Sequence, residues 1–147
     1  MWQYNVIRLA LGLPKDGLVC GWISDLVPIP IDAKGLIKLH WFDPNALEIS
    51  DKVFYSTRKL RDAIESYERM FSEATINHIT WWKHHEKEWL KSADLVIHYE
   101  EMMADKPAMA KRIIEILGVD ADPFEIAEQV DQLEFNPYRA DRDVSTR

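Results

Sequence analysis

Short apolar runs that alternate with helix-forming segments set the strongest constraint on the fold of this chain. The runs are rich in β-branched and aromatic residues, and Gly or Pro residues bound the first two, which is typical of short buried strands. Strands that are separated by helices pair in parallel, because each helix returns the chain to the same edge. The sequence therefore predicts an α/β fold in which helices cover a parallel sheet. The predicted strands are 17–23, 35–41, 51–57 and 94–100.

Helices are predicted from apolar spacing and from end signals. Apolar residues at spacings of three and four predict helices over 2–12, from about residue 60, and over 73–91. Asp105 is a suitable N-cap and Gly118 a suitable C-terminal stop for the next helix. Asp122, followed by proline and then by Glu125, starts the last one.

The size and charge of the chain limit the classes of function. The 147 residues suffice for one domain, and a net charge of −7 argues against a nucleic-acid partner. The single cysteine, Cys20, allows no internal disulfide, and no apolar run reaches the length needed to cross a membrane. We therefore expect a cytoplasmic protein that has no membrane partner.

Cations follow the third predicted strand, where an anionic ligand can bind. Arg58, Lys59 and Arg61 lie between that strand and a helix, and Ser66 follows in the second helical turn. Ligands of open parallel sheets collect at the carboxyl ends of the strands, and helix N-terminal amides with an arginine bind phosphate well. The alternative is a solvated helix start in which Arg61 pairs with Glu65.

Lys38 and His40 form a second polar feature, on the second predicted strand. Two residues apart, they face the same side of a strand. A histidine can take a proton from a hydroxyl group, and a lysine can stabilise charge on a leaving oxygen. The alternative is a strand end that emerges into solvent.

In this order and spacing, these motifs resemble the sulfotransferases that use 3′-phosphoadenosine 5′-phosphosulfate (PAPS). The family carries Lys-x-His at a strand end, matched here by "LIKLH", and then a strand that ends in Arg, with Asp four and Ser eight residues later. Here these three are Arg58, Asp62 and Ser66. The segment "DLVIHYEEMMADKPAMAKRIIEILGV" is similar to a later family block, and "WQYNVIRLAL" to the first family helix.

The resemblance implies a fold, a reaction and four site residues. The fold is a three-layer α/β fold of the P-loop NTPase type, and the reaction moves a sulfuryl group from PAPS to a hydroxyl or amine of a small-molecule or glycan acceptor. Arg58 and Ser66 would hold the 3′-phosphate of PAPS. His40 would be the general base, and Lys38 would position the acceptor or stabilise charge. No metal is implied.

Two segments of the family pattern have no counterpart in the sequence. The phosphate loop should lie immediately before Trp2, and the five glycines of the chain form no such loop elsewhere. The Gly-x-x-Gly-x-Trp segment has no match before Arg147. We therefore expect residues 1–147 to form a single, partial sulfotransferase domain. A missing first strand would expose a sheet edge and favour a homodimer.

Residues 78–89 present a histidine-rich alternative. His78, His84 and His85 offer metal ligands, but their spacing does not place them together on a helix. We interpret this segment as an amphipathic helix whose buried face carries Trp81, Trp82 and Trp89, and which in the family often shapes the acceptor pocket. Arg139 and Arg142 belong either to a solvated tail or, by resemblance, to the binding of the PAPS phosphates.

Two other functions remain open at this stage. A non-catalytic pseudoenzyme on the same scaffold would bind a nucleotide or a protein without transfer. A P-loop nucleotide kinase would need a Gly-rich loop that ends in Lys-Ser/Thr, which the sequence lacks.

Overall fold

A computed structural model describes residues 2–13, 20–22, 35–39 and 41–134. The chain divides into two compact units, and each is described by itself. The terminal unit comprises Met1–Lys38 and Asp105–Arg147, and the central unit is Leu39–Ala104. The elements are, in chain order, α1 (Trp2–Ala10), β1 (Cys20–Trp22), β2 (Leu36–Lys38), α2 (Pro44–Ile49), β3 (Phe54–Thr57), α3 (Leu60–Met70), α4 (Ile76–Ser92), β4 (Leu95–His98), α5 (Tyr99–Ala104), α6 (Lys106–Leu117) and α7 (Pro123–Glu134).

The strands pair in parallel within each unit, which confirms the predicted direction of pairing. In the terminal unit β1 lies beside β2, with Trp22 opposite Lys38. In the central unit β3 lies beside β4, with Thr57 opposite His98. The connection from β3 to β4 runs through the two helices α3 and α4. This α/β arrangement is the coarse fold class that the sequence predicts.

The core of the terminal unit is helical and forms where α1, α6 and α7 meet. Val6, Ile113 and Val130 have no exposed surface, and each helix contributes one of them. Full burial of such a side chain contributes about 1.5–3 kcal/mol. The apolar faces of these helices are therefore the faces that pack against each other. Arg8 is also buried there, and its Nη1 donates to the carbonyl oxygen of Leu13 at 3.3 Å.

The predicted helix ends in the terminal unit are confirmed. The Asp105 side chain accepts from the backbone N–H of Ala108 at 3.0 Å at the start of α6. Gly118 ends α6 in the left-handed conformation, with a φ of 66°. The Asp122 side chain accepts from the backbone N–H groups of Phe124 and Glu125 at the start of α7.

The end of the fourth predicted strand and the helix α2 are where the central unit departs from prediction in kind. The predicted strand 94–100 ends at His98, and Tyr99 begins α5. Acidic Glu100 and Glu101 in the first turn favour a helix start, because they face the positive end of its dipole. The helix α2 was not predicted; it begins where the Asp43 side chain accepts from the backbone N–H groups of the next turn.

The buried face predicted for α4 is wrong at one tryptophan. Trp89 is buried and Trp82 is half-buried, but Trp81 is 43% exposed. At 3.6 residues per turn, Trp82 and Trp89 fall nearly in line, whereas Trp81 is rotated by about 80° from Trp89. None of the helices within the described ranges is long and apolar enough to cross a bilayer.

We expect Gly118→Ala to lower the free energy of unfolding by about 1 kcal/mol, because alanine disfavours a positive φ. A Cβ at this position meets no atom within 4 Å, so the loss is one of backbone conformation and not of steric fit. Gly118→Asn is the matched control and should lose less, since asparagine tolerates this region. Urea denaturation measures both variants, and equal losses would contradict the explanation.

Candidate functional site

The carboxyl ends of β3 and β4 bring Arg58 and Tyr99 together. Because Thr57 pairs with His98, the next residue of each strand emerges at the same edge. The Arg58 guanidinium carbon lies 5.6 Å from the centroid of the Tyr99 ring, within cation–π range. Arg58 is half-buried, and in the part of the chain that the structure describes it pairs with no carboxylate. Its charge is therefore available to an anionic ligand.

The N-terminus of α3 lies directly beyond Arg58. No side chain caps this helix, so the amides of its first turn are not satisfied by a cap. The N–H of Lys59 donates to Glu100 Oε1 at 3.3 Å. Backbone hydrogen bonds, from the N–H of Glu100 itself and then from Lys59, lower the pKa of Glu100 below its ordinary value. The Glu100 carboxylate therefore already occupies the Lys59 amide, and a phosphate bound at this helix start would share that amide or displace the carboxylate.

Arg61 does not belong to this group of cations. Its Nε lies 3.0 Å from Glu65 Oε1 on the next helical turn, and its side chain is 87% exposed. The alternative interpretation, a solvated helix start, is thus confirmed for Arg61.

Ser66 lies in the second turn of α3, on the helix that begins just after Arg58. It is half-buried, and its hydroxyl has no hydrogen-bond partner among the described residues. Asp62 lies four residues earlier, which places it on the same side of the helix. The convergence of Ser66 and Arg58 on one ligand remains a prediction.

Of the two proposed transfer residues, Lys38 lies within the described part of the chain and His40 does not. Lys38 is the last residue of β2, in the terminal unit, and is half-buried. Burial lowers the pKa of its ammonium group, because a low-dielectric environment disfavours the charged form. His40 lies outside the described residues, as do Arg139 and Arg142.

The side of β3 that carries Tyr55 and Thr57 is attached to α4. Thr57 Oγ1 donates to Glu86 Oε1 at 2.9 Å. Tyr55, two residues earlier, projects to the same side of the strand. Burial and the nearby charge of Glu86 raise the pKa of Tyr55 to about 12. These contacts fix the strand that presents Arg58, and the sequence motifs did not indicate them.

The histidines of α4 make structural contacts. The Nδ1 of His78 accepts from the N–H of Thr75 and completes the N-terminal capping box of α4. The Nδ1 of His85 accepts from the N–H of Phe42 at 2.6 Å. Across the described ranges, no three His, Cys, Asp or Glu side chains form a group that could hold a metal ion.

The chain matches a protein-family model described as the sulfotransferase domain over residues 43–147. The match covers more than half of the sequence. It includes Arg58 and Ser66, whereas Lys38 and His40 precede it. No match was found among curated proteins or among solved structures.

We expect Tyr55 to ionise about two pH units above an unperturbed tyrosine, whose pKa is 10.0. Because the folded state holds this proton more tightly, the stability it contributes is complete below pH 10. That contribution is lost as the pH rises toward 12. The measurement is tyrosinate absorbance after a rapid pH jump, taken as the difference between the wild type and Tyr55→Phe. Glu86→Gln should shift the transition to lower pH. A Tyr55 transition near pH 10 in the folded protein would contradict the burial of Tyr55 beside Glu86.

Proposed function

Because this chain belongs to the sulfotransferase domain family, we propose that it transfers a sulfuryl group from PAPS to a hydroxyl or amine of a small-molecule or glycan acceptor. Family membership indicates sulfuryl transfer as the general chemistry, and the family generally uses PAPS. The acceptor class and the three-layer, P-loop-like arrangement of the whole domain are part of the proposal. A cytoplasmic location is also proposed, on the ground that Cys20 is the only cysteine.

The observation that carries the proposal is the position of Arg58. It lies at the carboxyl end of a parallel strand, directly before the uncapped N-terminus of α3. A guanidinium can donate two parallel hydrogen bonds to a phosphate, and first-turn amides add donors with the favourable end of the helix dipole. We assign the 3′-phosphate of PAPS to this position, with the Ser66 hydroxyl as a further donor.

The reaction needs a base for the acceptor and a cation for the leaving group. We assign the base to His40, whose imidazole takes the proton of the acceptor hydroxyl or amine. The acceptor atom then bonds to sulfur as the bond from sulfur to the 5′-phosphate oxygen breaks, which releases 3′-phosphoadenosine 5′-phosphate. Lys38 is assigned to the negative charge that develops on that oxygen. A half-buried ammonium interacts more strongly with such a charge than an exposed one does.

One observation favours a second function. Arg58 and Ser66 lie inside the family match, but Lys38 and His40 lie before it. If Lys38 and His40 take no part in a reaction, the protein would bind the nucleotide, or a protein partner, without catalysis. A homodimer is compatible with either function.

We expect Arg58→Ala to weaken binding of 3′-phosphoadenosine 5′-phosphate by about 10- to 100-fold, because it removes charged hydrogen bonds to phosphate. Arg61→Ala is the matched control. Arg61 lies three residues after Arg58 and carries the same charge, but it forms an exposed ion pair with Glu65. That variant should bind within about twofold of the wild type. Isothermal titration calorimetry measures both, and equal affinities for the two variants would refute the role of Arg58.

We expect His40→Ala to lower the rate of sulfuryl transfer by about 10²- to 10⁴-fold, the usual contribution of a general base. Nucleotide affinity should stay close to that of the wild type. Transfer of ³⁵S from labelled PAPS to a panel of phenols, alcohols and amines measures the rate. His84→Ala, which removes an exposed imidazole from α4, is the control. Unchanged transfer in His40→Ala would exclude His40 as the base, and nucleotide binding without transfer by the wild type would favour the second function.

A further inference from the structure

A hydrogen bond between Phe42 and His85 links two parts of the central unit that lie 43 residues apart. The backbone N–H of Phe42 donates to His85 Nδ1 at 2.6 Å. An N–H group can only donate, so Nδ1 must be unprotonated and the imidazole neutral, with its proton on Nε2. The contact therefore exists only in one protonation state of His85.

Other contacts hold Phe42, Asp43 and the ring of His85 in place. The Phe42 ring packs edge-on against Trp89, which is buried, with 4.9 Å between the ring centroids. Trp89 lies one helical turn beyond His85, so the two side chains share a side of α4. On the same helix the Trp81 ring packs against the His85 ring at 4.3 Å. Asp43 is engaged at the start of α2, where it accepts two backbone N–H groups.

We propose that neutral His85 is a positioning residue that holds Phe42 on α4, and that its protonation releases the Phe42 backbone. The inference rests on the proposed function in one respect, the assignment of the base to His40. Phe42 is two residues after His40, and two residues span at most about 7 Å. A restraint on Phe42 therefore limits the positions open to the base. We expect that loss of this restraint lowers the rate of transfer and leaves nucleotide affinity unchanged.

The surroundings of His85 favour its neutral form. Burial is the main cause, and the nearby His84 is the second; both lower the pKa of His85 below its ordinary value of 6.5. From the facing segment the contacting group is the Phe42 N–H, and the ionisable side chain there, Asp43, is used to cap α2. His85 thus contributes stability that is complete above pH 6.5 and is lost as the pH falls through its lowered pKa.

Hydrogen exchange of the Phe42 amide tests the attachment without any activity. Exchange rates are measured by NMR between pH 4.5 and 7.5, corrected for the intrinsic pH dependence, while the imidazole carbon shifts report the protonation of His85. We expect the protection of the Phe42 amide to fall about three- to tenfold at low pH, which corresponds to the net free energy of one hydrogen bond. Its midpoint should coincide with the titration of His85, below pH 6.5. Protection that does not change while His85 titrates would overturn the proposal.

Two substitutions separate the hydrogen bond from the bulk of the ring. His85→Asn places an amide oxygen near the position of Nδ1, so it should keep the Phe42 amide protected at every pH in this range. His85→Phe keeps an aromatic ring but has no acceptor, and should leave Phe42 unprotected throughout. His84→Gln is the matched control; it should keep the pH-dependent step and move it to higher pH, because a repelling charge is removed. If His85→Phe does not fold, the wild-type titration and His85→Asn still decide the matter.

Transfer assays distinguish failure of this inference from failure of the proposed function. If both this inference and the proposed function hold, His85→Phe lowers kcat and leaves the affinity for 3′-phosphoadenosine 5′-phosphate unchanged. His85→Asn should then have a kcat close to that of the wild type. If the wild type shows no transfer while the protection of the Phe42 amide follows the titration of His85, the hydrogen bond to His85 is supported and the assignment of His40 as the base is refuted. If the wild type transfers sulfuryl groups but kcat in His85→Phe is normal, His85 is not a positioning residue.

Discussion

The parallel register of β3 and β4 is the constraint on which the candidate site depends. Because Thr57 lies opposite His98, the chain leaves both strands at the same level. Arg58 and Tyr99 are then neighbours, and the amide of Lys59 reaches the carboxylate of Glu100. A slip of one residue would turn the side chains of one strand to the other face and separate these groups. The grouping of residues at the candidate site is thus a consequence of strand pairing, and the helix α3 that begins beside it presents its N-terminal amides there.

The helix α4 holds the two segments that carry the proposed chemistry in the central unit. Glu86 accepts from Thr57 and so fixes the strand that presents Arg58. His85 and Trp89 contact Phe42 and so fix the segment that follows His40 in the sequence. Adjacent residues on a helix point about 100° apart, which lets one helix serve both segments. The half-buried position of these contacts explains why the pKa of Tyr55 is raised and that of His85 is lowered.

The sequence predicted the features that depend on local chemistry. The direction of strand pairing, the caps at Asp105 and Asp122 and the stop at Gly118 follow from spacing and residue type, and the structure confirms them. The resemblance carried by Arg58 and Ser66 led to the family that the match supports.

The features that depend on distant parts of the chain were not predictable. The contact of Phe42 with His85 joins residues 43 apart and leaves no motif in the sequence. The sequence predicts that the strand continues through Tyr99, where α5 begins, because tyrosine favours strands and only the two glutamates that follow indicate a helix. The sequence does not decide between a phosphate role for Arg61 and its pairing with Glu65, since an exposed ion pair and an anion site use the same residue types.

We propose that the start of α3, together with Arg58, binds a phosphate on the 3′ position of an adenosine nucleotide. The most direct measurement is a comparison of backbone amide shifts on addition of 3′-phosphoadenosine 5′-phosphate and of adenosine 5′-phosphate, which lacks only the 3′ group. We expect the first nucleotide alone to shift the amides of residues 58–62 and of Ser66. Equal shifts with both nucleotides, or shifts confined to other parts of the chain, would contradict it.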